Sequence, residues 1–174
     1  MKTLIDHLAQ YAAYHRDRRN IASHFVGIPL IVLAVATLLS RPGLEWAGLW
    51  LSPASLTALA ASLFYLRLDL RFGLLMAALL GLCLWAGAAL ALQSHALWLG
   101  GGLGLFVIGW IIQFIGHYYE GRKPAFVDDA MGLLIGPLFV AAEAAFLLGL
   151  RQDVEQAVVE RAGPTCLRRK KARA

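Results

Sequence analysis

Apolar residues in this chain fall into blocks with sharp edges. Phe72–Leu92 and Ala96–Ile115 contain no charged residue, and Met131–Leu150 contains one, Glu143. Each is close to the ~20 residues that cross ~30 Å of hydrocarbon as a helix. Two earlier blocks are shorter: Phe25–Leu39, and Pro53–Leu66 with Trp46–Leu51 as its extension. Hydrocarbon gives the backbone no hydrogen-bond partners, so helix is the expected state of all of them. The pattern predicts an all-α, polytopic membrane helix bundle of four to five apolar helices, one of them a candidate for re-entry. Residues 1–150 form a single integral membrane domain in this reading, and 151–174 a basic cytoplasmic or flexible tail. The glycines of Gly100–Gly104 suit close helix packing.

Composition agrees. The 174 residues are 59% hydrophobic and 16% charged, against about 45–50% and about 25% in soluble domains. That excludes a soluble domain of this length. The first apolar block starts only at Phe25, behind a long polar segment, which argues against a cleavable signal peptide. Cys83 and Cys166 are far apart and suggest neither a disulfide nor a metal knuckle.

Lysine and arginine set the expected orientation. Lys2, Arg16, Arg18 and Arg19, then Arg67 and Arg71, then Arg122 and Lys123 place the N-terminus and two later turns on the cytoplasmic side. The tail residues Arg168, Arg169, Lys170 and Lys171 favour the same side, which a fifth full crossing forbids. Either Met131–Leu150 enters and returns, or another block is not a full span. The tail's natural partner is the anionic surface of the lipid bilayer, and no nucleic-acid role is indicated.

Polar residues gather in two segments. The first holds Tyr11, His15, Asn20 and His24; on a helix, Asn20 and His24 share a face. In the second, Gln113, His117 and Glu120 stand at i, i+4 and i+7 at the end of an apolar helix, where a polar stripe needs a cavity, a partner or a ligand. The expected topology puts both segments on one side, so three histidines and a carboxylate can converge at one boundary. Such a set with open positions suits a divalent transition metal, non-haem Fe(II) included. The bland readings are equally concrete. His7 and His95 read as interfacial anchors. Glu120, Arg122 and Lys123 fit a solvated loop, and one of Asp128 and Asp129 a helix cap. Asp69 fits a surface pair with Arg67 and Arg71. The tryptophans Trp46, Trp50, Trp85, Trp98 and Trp110 read as interfacial or packing residues. Glu143 is either a neutral, hydrogen-bonded acid or a further site residue.

Taken together, Tyr11, His15, Asn20, His24, Gly27 and Pro29, followed by Gln113-Phe-Ile-Gly116-His117 and Glu120-Gly-Arg-Lys-Pro-Ala125, resemble the membrane family of 2-hydroxy fatty acid dioxygenases over about residues 1–150. Fungal members of that family are endoplasmic reticulum proteins, and bacterial relatives belong in the inner or plasma membrane. The resemblance implies Fe2+-dependent α-oxidation: a 2-hydroxy fatty acid takes up dioxygen, loses its carboxyl carbon and leaves a fatty acid one carbon shorter. It carries metal ligation to His15, His24 and His117, with Glu120 and then Asp128 as further candidates. Asn20, Gln113 and Glu120 become candidate catalytic residues. Tyr11, Arg122 and Lys123 become candidate substrate contacts, the two cations for the substrate carboxylate. Two alternatives from other classes are a small transporter or proton relay and a non-catalytic, lipid-organising protein.

Overall fold

The computed structural model describes residues 2–46 and 49–167. The basic residues 168–171, with the membrane-surface role expected of them, lie outside the described residues, as do the side chains of Trp46 and Trp50. The chain is all-α apart from one hairpin. It runs α1 (Leu4–Ala12), α2 (Arg18–Ser40), β1 (Leu44–Trp46), β2 (Leu49–Leu51), α3 (Pro53–Leu68), α4 (Leu70–Ala91), α5 (His95–Glu120), a 3-10 turn (Ala125–Val127), α6 (Met131–Leu147) and α7 (Gln152–Ala162). Among the described residues three helices, α2, α4 and α5, are long and apolar enough to cross a bilayer. A fourth crossing is available if α6 and α7, bent by 116°, act as one broken or re-entrant span.

The helix ends differ from the apolar blocks for local reasons. The first block reads as short from Phe25, yet α2 is 23 residues long because it begins in the polar segment. There the Asp17 carboxylate accepts from the Arg19 N–H at 2.9 Å, as a helix cap does. Trp46–Leu51 does not extend the next block; it belongs to the antiparallel hairpin pairing Leu44 with Leu51. Helix α3 starts cleanly instead, at a capping box between Ser52 and Ser55 followed by Pro53. Asp69 is more than a surface charge: its carboxylate caps α4 through the Phe72 N–H at 2.9 Å. Helix α5 continues through the second polar segment and stops at Gly121, whose φ of +69° ends the helix with an N–H donated to His117 O.

The described residues form two compact units. One comprises residues 29–110. Within it α3 and α4 make a tight hairpin across Asp69, and a Cβ on Gly73 would stand 2.5 Å from Leu66 Cα. Trp98 Nε1 donates to Thr37 O at 2.9 Å, and Arg41 lies over the Trp98 ring. Of the glycines in 100–104, Gly102 alone approaches a neighbour, Leu38; Gly100, Gly101 and Gly104 face open space.

The other unit comprises, of the described residues, 2–28 and 111–167. Its core joins Leu4 and Leu8 of α1, Leu138, Phe139 and Ala142 of α6, and Val154 and Val158 of α7. The segment after Arg151, read from sequence as tail, thus opens with a helix laid along α1. Arg161 of α7 pairs with Asp6, itself part of the α1 capping box.

Gly73→Ala should destabilise the α3–α4 hairpin by roughly 1–3 kcal/mol, the usual cost of overpacking against backbone. Thermal unfolding in detergent reads the change, and an unaltered midpoint would refute the close approach.

Candidate metal centre

Helix geometry brings the two polar segments together inside the second unit. His24 lies in the second turn of α2, His117 in the last turn of α5, and His15 in the loop between α1 and α2. The ring centroids are 4.5 Å apart for His15 and His24, 5.0 Å for His15 and His117, and 5.2 Å for His24 and His117. One nitrogen from each ring lies within 4.8 Å of the others, and all three residues are buried.

The hydrogen bonds decide which nitrogens face inward. His15 Nδ1 is 2.7 Å from Tyr11 O, and His24 Nδ1 is 2.8 Å from Asn20 O. A carbonyl oxygen only accepts, so both Nδ1 atoms carry the proton and both Nε2 atoms carry a lone pair. His15 Nε2 and His117 Nδ1 are buried with no hydrogen-bond partner among the described residues. Burial, followed by the neighbouring His24, holds the His15 imidazole well below the usual histidine pKa, so the ring is neutral. Lone pairs packed together without a donor are costly unless a cation sits among them. The donor set therefore fits a divalent transition metal: neutral imidazoles, each of two oriented by a carbonyl behind it.

The surroundings hold these rings still. Tyr11 stacks on His15 at 4.1 Å and 7°, and Phe139 lies 5.0 Å from Tyr11. The Glu120 carboxylate, 1% exposed, accepts from the Asp17 N–H at 2.7 Å and from Asn20 Nδ2 at 3.2 Å. It thereby ties the end of α5 to the His15 loop and to α2. Gly116 is what lets α5 approach α2: a Cβ there would collide with Ser23 Oγ and fall 2.6 Å from Asn20 Oδ1.

Not every expected residue joins the three histidines. Asp128 is exposed, receives the Tyr14 hydroxyl at 3.0 Å and pairs with Lys123. Arg122, also exposed, donates to Ala13 O at 2.9 Å. Asp129 accepts from the Met131 N–H at the start of α6. Glu143 faces a cation, Arg16, at 3.7 Å. Gln113 is buried one helical turn before His117, and both ends of its amide lack a partner among the described residues. Sequence reasoning missed three features. Arg16, counted there only among the cations that set the orientation, is 5% exposed, and Asp17 is fully buried against Arg19. The tight contact at Gly116 was visible only as a glycine within a motif.

A family model described as Mpo1-like, 2-hydroxy-palmitic acid dioxygenase Mpo1-like, matches residues 1–148. The chain belongs to this family. It is 35% identical over 146 residues to the 2-hydroxy-palmitic acid dioxygenase MPO1 of Saccharomyces cerevisiae, an alignment covering 82% of this chain and 79% of that protein. No solved structure matches it. The family's matched region contains all three histidines, Gln113 and Glu120.

Gly116→Ala should separate α2 from α5 and weaken Co2+ binding, monitored by visible absorption. Adding Ser23→Gly should restore part of the affinity only, since Asn20 Oδ1 still obstructs the new methyl. Unchanged binding in the single variant would show that the helices have slack there.

Proposed function

We propose that this chain is an Fe2+-dependent dioxygenase that converts a 2-hydroxy fatty acid to the fatty acid one carbon shorter. The observation that carries the reading is the buried group of three histidines with its inward lone pairs, in a chain of the 2-hydroxy-palmitic acid dioxygenase family. The balance supports it. A 2-hydroxy acid and one dioxygen give the shortened acid, carbon dioxide and water. The C1–C2 bond breaks, C2 loses three electrons, C1 loses one, and dioxygen accepts all four. No outside reductant is required.

His15, His24 and His117 would hold the iron. Bound Fe(II) supplies a chelation point for the α-hydroxy carboxylate and the redox activity that dioxygen chemistry requires. The chain's own groups then do the rest. The amide of Gln113, without a partner among the described residues, offers one donor edge and one acceptor edge, matching a carboxylate beside a hydroxyl. Tyr11 and Phe139 shield His15 from water. Glu120, with two donors on its carboxylate, serves as the brace between α5 and the His15 loop. The acyl chain remains in the bilayer, against the apolar outer surface of the helices. Buried polar side chains concentrate at the three-histidine group rather than along a path through the helices, which favours an enzyme over a proton relay.

The test is protein purified in detergent without oxygen, assayed for iron, then given 2-hydroxypalmitate and air. Near-stoichiometric iron and the acid one carbon shorter are expected; iron without product would reject the substrate, and no specific iron would reject the centre. His24→Ala and His117→Ala should abolish turnover while the protein still inserts, and full activity in both would overturn the ligand set.

Gln113→Leu separates binding from metal loading. Metal content should stay at the wild-type level while KM for 2-hydroxypalmitate rises tenfold or more, as expected when a buried polar contact to substrate is lost. An unchanged KM would remove Gln113 from the substrate contacts.

A further inference from the structure

The loop that carries His15 is flanked by Arg16, Asp17 and Arg18, and these residues are held from a part of the chain beyond the family-matched residues 1–148. After α7 the chain turns at Gly163, whose φ is +81°, and runs back alongside the loop. Asp17 and Cys166 form an isolated parallel bridge. Cys166 N–H donates to Arg16 O at 2.8 Å, and Arg18 N–H donates to Cys166 O at 2.9 Å. Arg16 adds a side-chain bond, from a terminal guanidinium nitrogen to Gly163 O at 2.7 Å. Its Nε donates to Ala12 O at 2.8 Å and to His15 O at 3.1 Å. The guanidinium therefore grips the His15 carbonyl from one side and the returning strand from the other.

We infer that the segment Gly163–Cys166 is a strap that positions His15 for metal binding, acting through the backbone of Arg16, Asp17 and Arg18. This rests on the metal reading given above. Loops of this kind have several accessible backbone states, and fixing one residue costs roughly 1–2 kcal/mol of conformational entropy. His15 is the one member of the group that no helix carries. His24 and His117 are placed by α2 and α5, so a loosened loop removes one ligand out of three. Glu120 secures the loop at the Asp17 N–H, and the strap secures it on both sides of the same residue. Every hydrogen bond from Cys166 to the loop uses backbone atoms, and its thiol is exposed.

That last point makes the inference testable. Cys166→Ala keeps every backbone bond; Cys166→Pro removes the N–H that reaches Arg16 O. A chain ending at Gly163 keeps α7 and loses the whole Cys166 bridge, and one ending at Leu167 keeps the strap. The readouts are Co2+ affinity from visible absorption, amide exchange at Arg18, and the thermal midpoint of the metal-free protein, all in detergent. Cys166→Pro and the chain ending at Gly163 should bind Co2+ roughly 10–100-fold more weakly, the range seen when the support behind a ligand is lost. Arg18 should exchange faster in the shorter chain, and the metal-free midpoint of Cys166→Pro should stay near wild type. Cys166→Ala and the chain ending at Leu167 should match wild type. Equal Co2+ affinity in all four variants would overturn the strap while leaving the metal centre intact. A loss in Cys166→Ala equal to that in Cys166→Pro would overturn the backbone mechanism. Failure of the wild type itself to bind Co2+ would instead remove the metal reading on which the inference stands.

Discussion

Three imidazole nitrogens lie within 4.8 Å of one another, and two of the rings, His15 and His117, have a buried nitrogen with no partner among the described residues, so lone pairs crowd together unless a cation lies between them. The surrounding structure works to hold that arrangement. Backbone carbonyls of Tyr11 and Asn20 fix the protonated edges of His15 and His24. A stacked tyrosine fixes one ring plane, and the glycine on α5 sets how near the two helices come. None of these contacts is individually large. Their common effect is to deny the rings any other orientation, which is how a site is kept ready for its ligand.

The distribution of polarity follows from the same constraint. On α5, Gln113, Gly116, His117 and Glu120 are buried, while Ile111, Phe114, Ile115 and Tyr118 are exposed. A water-soluble helix would be turned the other way round. In hydrocarbon the apolar face has no penalty for exposure, and each polar group must find its partners inside. Asn20, His24 and Glu120 are therefore joined by hydrogen bonds, with His117 packed beside them, and the group concentrates at one end of the apolar helices.

Much of this is readable from residues alone. The apolar blocks locate the long helices, and the i, i+4, i+7 spacing of Gln113, His117 and Glu120 already places them on one buried face. Family resemblance picks out the three histidines that the structure brings together. What the pattern misses depends on contacts far apart in sequence. Nothing near Arg16 says that its charge will meet Glu143, more than a hundred residues later. Asp128 sits in the right stretch for a ligand, yet it pairs with nearby Lys123 and with Tyr14 from the far end of the chain. The early start of α2 escapes a hydropathy reading because its first turn is polar and is held by a cap. The strap is hidden for a further reason: it works through backbone atoms, which have no sequence signature.

Glu120 illustrates how position and role come apart. Its spacing from His117 is that of a ligand pair, while one oxygen of its carboxylate, Oε2, accepts from both the Asp17 N–H and Asn20 Nδ2. On the proposed reading this division has an electrostatic consequence. A centre built from neutral imidazoles has no negative charge in its own ligand set, and in a low-dielectric pocket the metal's charge attracts an anion strongly. A 2-hydroxy carboxylate brings the missing negative charge together with a second oxygen at chelating distance. A carboxylate ligand from the chain would weaken that preference. With Glu120 bracing the loop, selection falls to the substrate's own charge, and the buried amide of Gln113 adds direction to it.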